Sequence, residues 1–378
     1  MTHVSNCKSA ADALAGVADS FRPDVVVGFD GFIDHIIDVV AKRTDTANYS
    51  AIPTIADFGK RISDAAGKSA NFELVVKQSK IGGNGPIMAN ALCSYQYGVT
   101  AIGILGAGAI DPVFAPLAER AKKTISLGAA ASTDALEFSD GKLMLGKLLP
   151  METVTYENLL KATGGVSGLK ALFKDAPGVA TVNWTMTLGM TKIWTEIAKD
   201  VLPGLRTDSV KGRGKWFIDL ADPAKRTYGD ILAALDAMKA LQVHTDVVLG
   251  LNEMECRQIL GVLGLSWPSI TPEWEAAREA CVKIRAHLGL SRVMCHLVKS
   301  AAEASVESSH GVDGFFDPKP KITTGAGDHF NAGYFAALLA GIPPRDALMI
   351  GGATSGHYVR TAVSPSRQQV IEFLRSRS

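Results

Sequence analysis

The chain lacks the signatures that mark most nucleotide- and metal-dependent enzymes. It has no G-x-x-x-x-G-K-[ST] run, which excludes the P-loop route to nucleotide phosphates. It has no H-E-x-x-H and no G-x-S-x-G, and its eight histidines are scattered, which removes the usual zinc-protease and serine-hydrolase patterns. The five cysteines (Cys7, Cys93, Cys256, Cys281, Cys295) are odd in number and form no C-x-x-C pair. Buried thiols in a reducing compartment fit that better than a disulfide scaffold or a zinc site. No apolar run reaches the roughly 18 residues of a membrane span, and the N-terminus has no basic flank leading into an apolar core. A cytoplasmic protein with no membrane partner is expected. Nor is there an excess of charge: Lys+Arg 39 against Asp+Glu 38 gives +1, so no nucleic-acid partner is expected.

What remains is an ordinary globular composition, 47% hydrophobic and 20% charged over 378 residues. From Asn158 onward, strand and helix patterns alternate. Strands are expected at Gly178–Trp184, Lys215–Leu220, Thr245–Leu249 and Arg292–Leu297. Helices are expected near Asn158–Phe173, Lys192–Leu202, Tyr228–Leu241, Glu253–Leu263, Pro272–Leu288 and Arg367–Ser376. Such alternation predicts an α/β fold with a parallel sheet covered on both faces. Ser132–Leu148 reads differently, as two short runs flanking Asp140-Gly141, a hairpin signal. With the Phe72–Gln78 strand and the stretch after Asp34, it predicts a small separate sheet, a lid spanning about 35–80 and 132–149. One domain, 1–378, is expected.

The chemistry concentrates at glycines. In KITTGAGDHFNAGYFAALLAG (Lys321–Gly341), Gly325, Ala326 and Gly327 lead into Asp328 and a long apolar helix. A glycine turn opening a helix presents free N–H groups and the positive end of the helix dipole, a setting for an anion. Asp328 is placed either to take a proton from a hydroxyl or simply to cap the helix. A second such junction is Gly82-Gly83-Asn84. Near the N-terminus, Asp30 and Asp34 follow the buried-type strand Val25–Val27, where a parallel sheet faces its ligand crevice. In GILGAGAID (Gly103–Asp111) the third glycine of the dinucleotide fingerprint is missing. His329, beside Asp328, reads as a packing residue or as one that supports the site from behind, rather than as a catalytic one.

Taken in order, Gly82-Gly83-Asn84, Asn252-x-x-Glu255 and Gly325-Ala326-Gly327-Asp328 resemble the ribokinase family, the phosphofructokinase-B type carbohydrate kinases. The resemblance runs from about Val25 to the C-terminus. It implies a ribokinase-like three-layer sandwich with a mainly parallel central sheet and a small β-sheet lid. It also implies ATP and Mg2+ as cofactors and phosphorylation of a primary hydroxyl of a small sugar. Asp328 is the implied base, and the amides of Gly325, Ala326 and Gly327 the implied anion hole. Asn252 and Glu255 match the motif that organises magnesium. Asp34, with Asp30, Gly82, Gly83 and Asn84, matches the sugar-binding elements. Thr324, Gly352 and Ser355 fall where relatives hold the nucleotide. A nucleoside acceptor, or a binding protein without catalysis, is the alternative. A homodimer through the lid is implied too, unless the helix-bearing segment Asp45–Lys80 covers that face.

The departures are local. Ile322 stands where relatives often carry an Asp that helps hold a monovalent cation, and Ile87 stands where the two-glycine element usually has Asn. CHLVKSAAEAS lacks the glycine of the family's Thr-x-Gly turn near the nucleotide. In FIDLADPAKR, Asp219 is similar to the start of the D-x-N-x-R stretch, but Ala221 and Pro223 replace the Asn and Arg. That leaves Lys225 or Arg226 to reach a phosphate or to form a surface pair.

Overall fold

A computed structural model describes residues 2–205 and 213–378. The chain opens with helix α1 (His3–Ala15) and strand β1 (Asp24–Phe29). It then leaves the main body through β2 (Phe32–Arg43), β3 (Tyr49–Ala51), α2 (Ile55–Asp64) and β4 (Leu74–Gly82). Helix α3 (Asn84–Ser94) returns it to β5 (Gly98–Gly103), α4 (Ala115–Arg120) and β6 (Lys123–Ser126). The expected hairpin follows as β7 (Ala131–Phe138) and β8 (Gly141–Lys147). Next come α5 (Tyr156–Thr163), α6 (Gly165–Asp175), β9 (Gly178–Thr181), α7 (Met190–Glu196), β10 (Lys215–Asp219) and α8 (Tyr228–His244). The chain continues through β11 (Asp246–Asn252), α9 (Glu253–Val262), α10 (Glu273–Leu288) and β12 (Arg292–His296). It ends with β13 (Ser300–Ser305), β14 (Ser309–Asp313), α11 (Ala326–Leu339), α12 (Pro344–Thr361) and α13 (Arg367–Arg375).

Nine strands form the main sheet in the order β14-β13-β12-β11-β10-β9-β1-β5-β6. Every pair from β12 to β6 is parallel, and two pairs, β12–β13 and β13–β14, run antiparallel at one edge. Alternation along the strands sends neighbouring side chains to opposite cores. Val26, Trp216, Ile218 and Leu249 join the core beneath α5–α10, while Val25, Val27, Phe217 and Val248 join that beneath α1, α3 and α11–α13. Two apolar layers around one sheet make the predicted three-layer arrangement.

The second sheet has five strands, with β2 flanked by β3 and β4 on one side and by β7 and then β8 on the other. It has its own core of Ile37, Val39, Ile52, Phe58 and Leu136. Phe58 of α2 stacks on Phe138 and meets Phe72 edge-on, so the helix in the 45–80 segment does cover one face of this sheet.

Local chemistry explains several boundaries. Thr54, Thr155 and Thr227 cap α2, α5 and α8 through their hydroxyls, and Ser366 with Gln369 forms a capping box at α13. Three expectations need correcting. The single helix expected over 158–173 is broken, because Gly164 and Gly165 adopt φ of 87° and 81°. The helix expected to reach Leu202 ends as α at Glu196 and continues as one π turn. The strands β13 and β14 were not expected at all, since SAAEAS carries too little apolar bulk to show a strand period. Among the described residues, no helix is long and apolar enough to cross a membrane.

Candidate active site

The carboxyl ends of β1, β9, β10, β11 and β12 bring together Asp30, Asn183, Asp219, Asn252 and His296. The first turns of α3 and α11 face the same crevice, as open parallel sheets dispose their ligands. Asp30 is buried just beyond β1, and three donors already occupy its carboxylate. These are the amides of Asn84 at 2.9 Å and Gly85 at 2.7 Å, and Asn183 Nδ2 at 2.7 Å. Burial pushes Asp30 up to about 6, and those bonds oppose the rise. Asp30, expected as a sugar ligand, therefore fixes the start of α3. A Cβ on Gly85 would sit 2.6 Å from Asp30 Oδ1, which is why glycine stands there.

Asp34 lies on β2, opposite Lys80 of β4 and Thr133 of β7. It is 5% exposed. Burial raises its proton affinity, and the Lys80 charge and the Thr133 hydroxyl moderate that. Gly82 packs flat on this carboxylate, and a Cβ there would overlap it. Gly83 turns the chain into α3 with a φ of 88°. The two glycines thus do separate jobs, one making room for Asp34 and the other reversing the backbone.

Asp328 occupies the first turn of α11, 7% exposed. Asn84 donates Nδ2–H to its Oδ1 at 2.8 Å. Burial pushes Asp328 up to about 7, the Asn84 bond opposes this, and the charges of Asp30 and Glu255 add to it. Gly325 precedes the helix with φ 86° and no side-chain cap. Of the three expected anion-hole amides, that of Ala326 is spent on the Thr323 carbonyl at 3.1 Å. Among the described residues, those of Gly325 and Gly327 meet no acceptor. Ile322 donates its amide to the Val359 carbonyl.

Asn252 and Glu255 form a capping box at α9, with Asn252 Oδ1 accepting from the Glu255 amide and Glu255 Oε2 from the Asn252 amide. Glu255 Oε1 accepts from the Asp222 amide at 2.9 Å. Beside them, Asn331 Nδ2 donates to Asp219 Oδ2 at 2.9 Å, whereas Asp219 Oδ1 and Asn331 Oδ1 are buried without partners among the described residues. Burial, then the Glu255 and Asp328 charges, hold Asp219 well above the usual carboxylate range. Among the described residues, no three acidic, histidine or cysteine side chains close on a point as metal ligands. Unpaired oxygens amid carboxylates fit a hydrated Mg2+ held largely through water. Arg226 is not free for a phosphate: its guanidinium lies 4.4 Å above the Trp184 ring and pairs with Asp230 at 3.3 Å. Lys225 pairs with Asp222.

Next to the α11 turn lies a cavity of about 480 Å³, walled by Phe315, Phe316, Phe330 and Met349. Gly352 and Ser355 line it, and Ala326 and Gly327 form the end nearest Asp328. Thr324 does not line it; Thr323 does, while the Thr324 carbonyl accepts from Tyr358. His296 lies against Gly327 and Phe330, and burial pushes it down to about 4, so it enters the site as a neutral ring. All five cysteines are free and buried. Asn183, Tyr358 and the Phe315–Phe316 wall were missed from sequence, because no motif joins them to the glycine turns.

A model of the prokaryotic ketohexokinase family matches residues 2–376. The chain is 29% identical to the ketohexokinase of Haloferax volcanii over 382 residues, covering 98% of this chain and 96% of that one. A carbohydrate kinase from Agrobacterium tumefaciens has the same fold at 18% identity, with a TM-score of 0.63 over 93% of this chain and 97% of the other. A putative ribokinase II from E. coli, solved in complex with ATP and Mg2+, superposes with a TM-score of 0.61 at 14% identity, covering 94% of this chain and 99% of that one. The chain thus belongs to the prokaryotic ketohexokinase family and is a carbohydrate kinase of ribokinase-like fold.

Proposed function

We propose that the protein transfers the γ-phosphoryl group of ATP to a primary hydroxyl of a small ketose sugar, with Asp328 as base. The observation that carries this is the state of Asp328. It is a buried carboxylate at a helix start, with one oxygen held by Asn84 and no second side-chain donor on the group among the described residues. The other oxygen takes the hydroxyl proton as the sugar oxygen bonds to the γ-phosphorus and the bond to the ADP oxygen breaks. The Gly325 and Gly327 amides, which meet no acceptor among the described residues, stabilise charge on the moving phosphoryl group. Asp34 accepts from sugar hydroxyls, and Asp30 holds Asn84 in place to do its work. The apolar cavity takes the adenine. Magnesium, when bound, would screen the phosphate charge, and Asp219, Glu255 and Asn252 are the residues that would hold it, largely through water. The small sheet serves as the lid of a single kinase unit, since Asp34 projects from it.

A panel of ketohexoses, aldoses, pentoses and nucleosides with MgATP tests the acceptor through ADP release. Fructose or another ketohexose is expected to give the highest kcat/KM. Stimulation by a nucleoside and by no sugar would replace this reading.

The pH profile has a defined sign. Asp328 must be ionised to accept a proton, and burial pushes it up to about 7. The kcat/KM for the sugar should therefore rise tenfold per pH unit on the acid side and level off above about pH 7. A flat profile down to about pH 5 would contradict the assignment of Asp328 as base.

A further inference from the structure

The turn that opens α11 is built from glycines and has no side-chain cap, yet a phosphoryl-transfer site needs its donors held still. From the geometry around it, we propose that His329 and Tyr358 act as positioning residues, bracing the carbonyls of Thr324 and Gly325 so that the amides at the start of α11 stay aimed into the site. This rests on the proposed role of that turn in accepting the phosphoryl group.

Two side chains reach back to two consecutive carbonyls. His329 Nδ1 lies 2.7 Å from the Gly325 carbonyl oxygen, and the Tyr358 hydroxyl donates to the Thr324 carbonyl at 3.1 Å. A carbonyl only accepts, so Nδ1 carries the ring proton and Nε2 is an acceptor. Ser364 Oγ lies 2.8 Å from Nε2 and itself receives Asn90 Nδ2–H at 3.2 Å, so the Ser364 hydroxyl proton points at the ring. The chain of donors is therefore continuous and of one sense, Asn90 to Ser364 to His329 to Gly325. His329 also stacks on Tyr358, centroids 3.6 Å apart and planes at 11°, which sets the second donor by the first.

The arrangement is more than packing. His329 is 1% exposed, and a buried polar ring is costly unless both nitrogens are satisfied, as they are here. Burial pushes it down to about 4, so the ring stays neutral and the tautomer fixed across the working pH range. On the opposite side of the turn, Ala326 N–H closes on the Thr323 carbonyl. The flexible glycine conformation is thus pinned from behind by the second turn of its own helix and by α12, with α3 anchoring the relay through Asn90.

Three variants test this, with MgATP and the best sugar acceptor. His329→Phe keeps the ring and its stacking but removes both nitrogens. It should lower kcat by about tenfold or more and leave the sugar KM within about twofold, because the braced donors act on the transition state. His329→Asn restores a donor at the Nδ1 position and should recover part of that loss. Ser364→Ala should lower kcat by a smaller factor without altering the melting temperature. Equal kcat for the Phe and Asn variants, or wild-type kcat in the Phe variant, would overturn the brace. So would a kcat loss that tracks only a fall in melting temperature. Long-range proton–nitrogen NMR of the wild-type protein reads the brace independently of turnover. A neutral Nδ1–H ring at His329 is expected from about pH 5 to about pH 8, and an Nε2–H ring would refute it. If the wild-type protein phosphorylates no acceptor, the sugar-kinase reading fails, and the NMR result still decides the brace.

Discussion

Asp328→Asn should lower kcat by about 10²–10⁴-fold while leaving the sugar dissociation constant nearly unchanged. The substitution keeps the shape of the side chain, and its carboxamide oxygen can still accept from Asn84 Nδ2, so α3 and α11 remain joined. What it removes is the lone pair proposed to take the hydroxyl proton. The crowded acidic surroundings help to isolate that effect, since Asp30 and Glu255 both raise the proton affinity of Asp328 and neither is positioned to replace it. Three of the acceptor sites of Asp30 are taken by Asn84, Gly85 and Asn183, and both oxygens of Glu255 by the amides of Asp222 and Asn252. Initial rates against sugar concentration, with binding measured by calorimetry, separate the two quantities. Turnover within threefold of wild type would remove Asp328 from the role of base.

Gly82→Ala should have the second-largest effect, and through a different term. A Cβ at this position would overlap both oxygens of Asp34, and the strand pairing of Gly82 with Phe32 leaves the backbone little room to yield. The carboxylate must rotate away from its present place. Loss of one charge-assisted hydrogen-bonding pair to the sugar is worth about 1.5–3 kcal/mol, equivalent to a rise in sugar KM of roughly 10- to 150-fold. The KM for ATP should stay within about twofold, because the cavity proposed for the nucleotide lies beside α11 and α12 rather than β4. An unchanged sugar KM would show that Asp34 does not hold the acceptor.

Much of the site was legible because its parts are local. A glycine turn followed by Asp and an apolar helix is contiguous in the chain, and Gly325 with φ 86° shows why that glycine is needed. The alternating strand and helix pattern fixed the parallel sheet for a similar reason, since each unit carries its own period. The pair Asp30 and Asp34 was harder. Both follow the same strand, and only their surroundings distinguish a carboxylate saturated by Asn84, Gly85 and Asn183 from one flanked by Lys80 and Thr133. Asn252-x-x-Glu255 was ambiguous in another way, because the spacing that suits a magnesium site is also that of a capping box, and here the capping bonds are formed. Tyr358 and Asn183 come from distant parts of the chain and reach the site only through folding. The helix α12 was hidden by its composition, GGATSGHYVRT, which is poor in apolar bulk and rich in small residues. Those same small residues let it pack closely on α11.

That close packing bears on how the site is divided. Gly333 of α11 lies directly against Thr354 of α12, whose hydroxyl also bonds Tyr95, and Tyr97 reaches the Ala336 carbonyl. The turn that opens α11, Asp328 and one wall of the adjoining cavity are thereby joined into one block. Asp34 instead hangs from the five-stranded sheet, which has a hydrophobic core of its own. Asp34 and Asp328 thus stand on separately packed bodies, which the chain joins at Gly31 and Gly83.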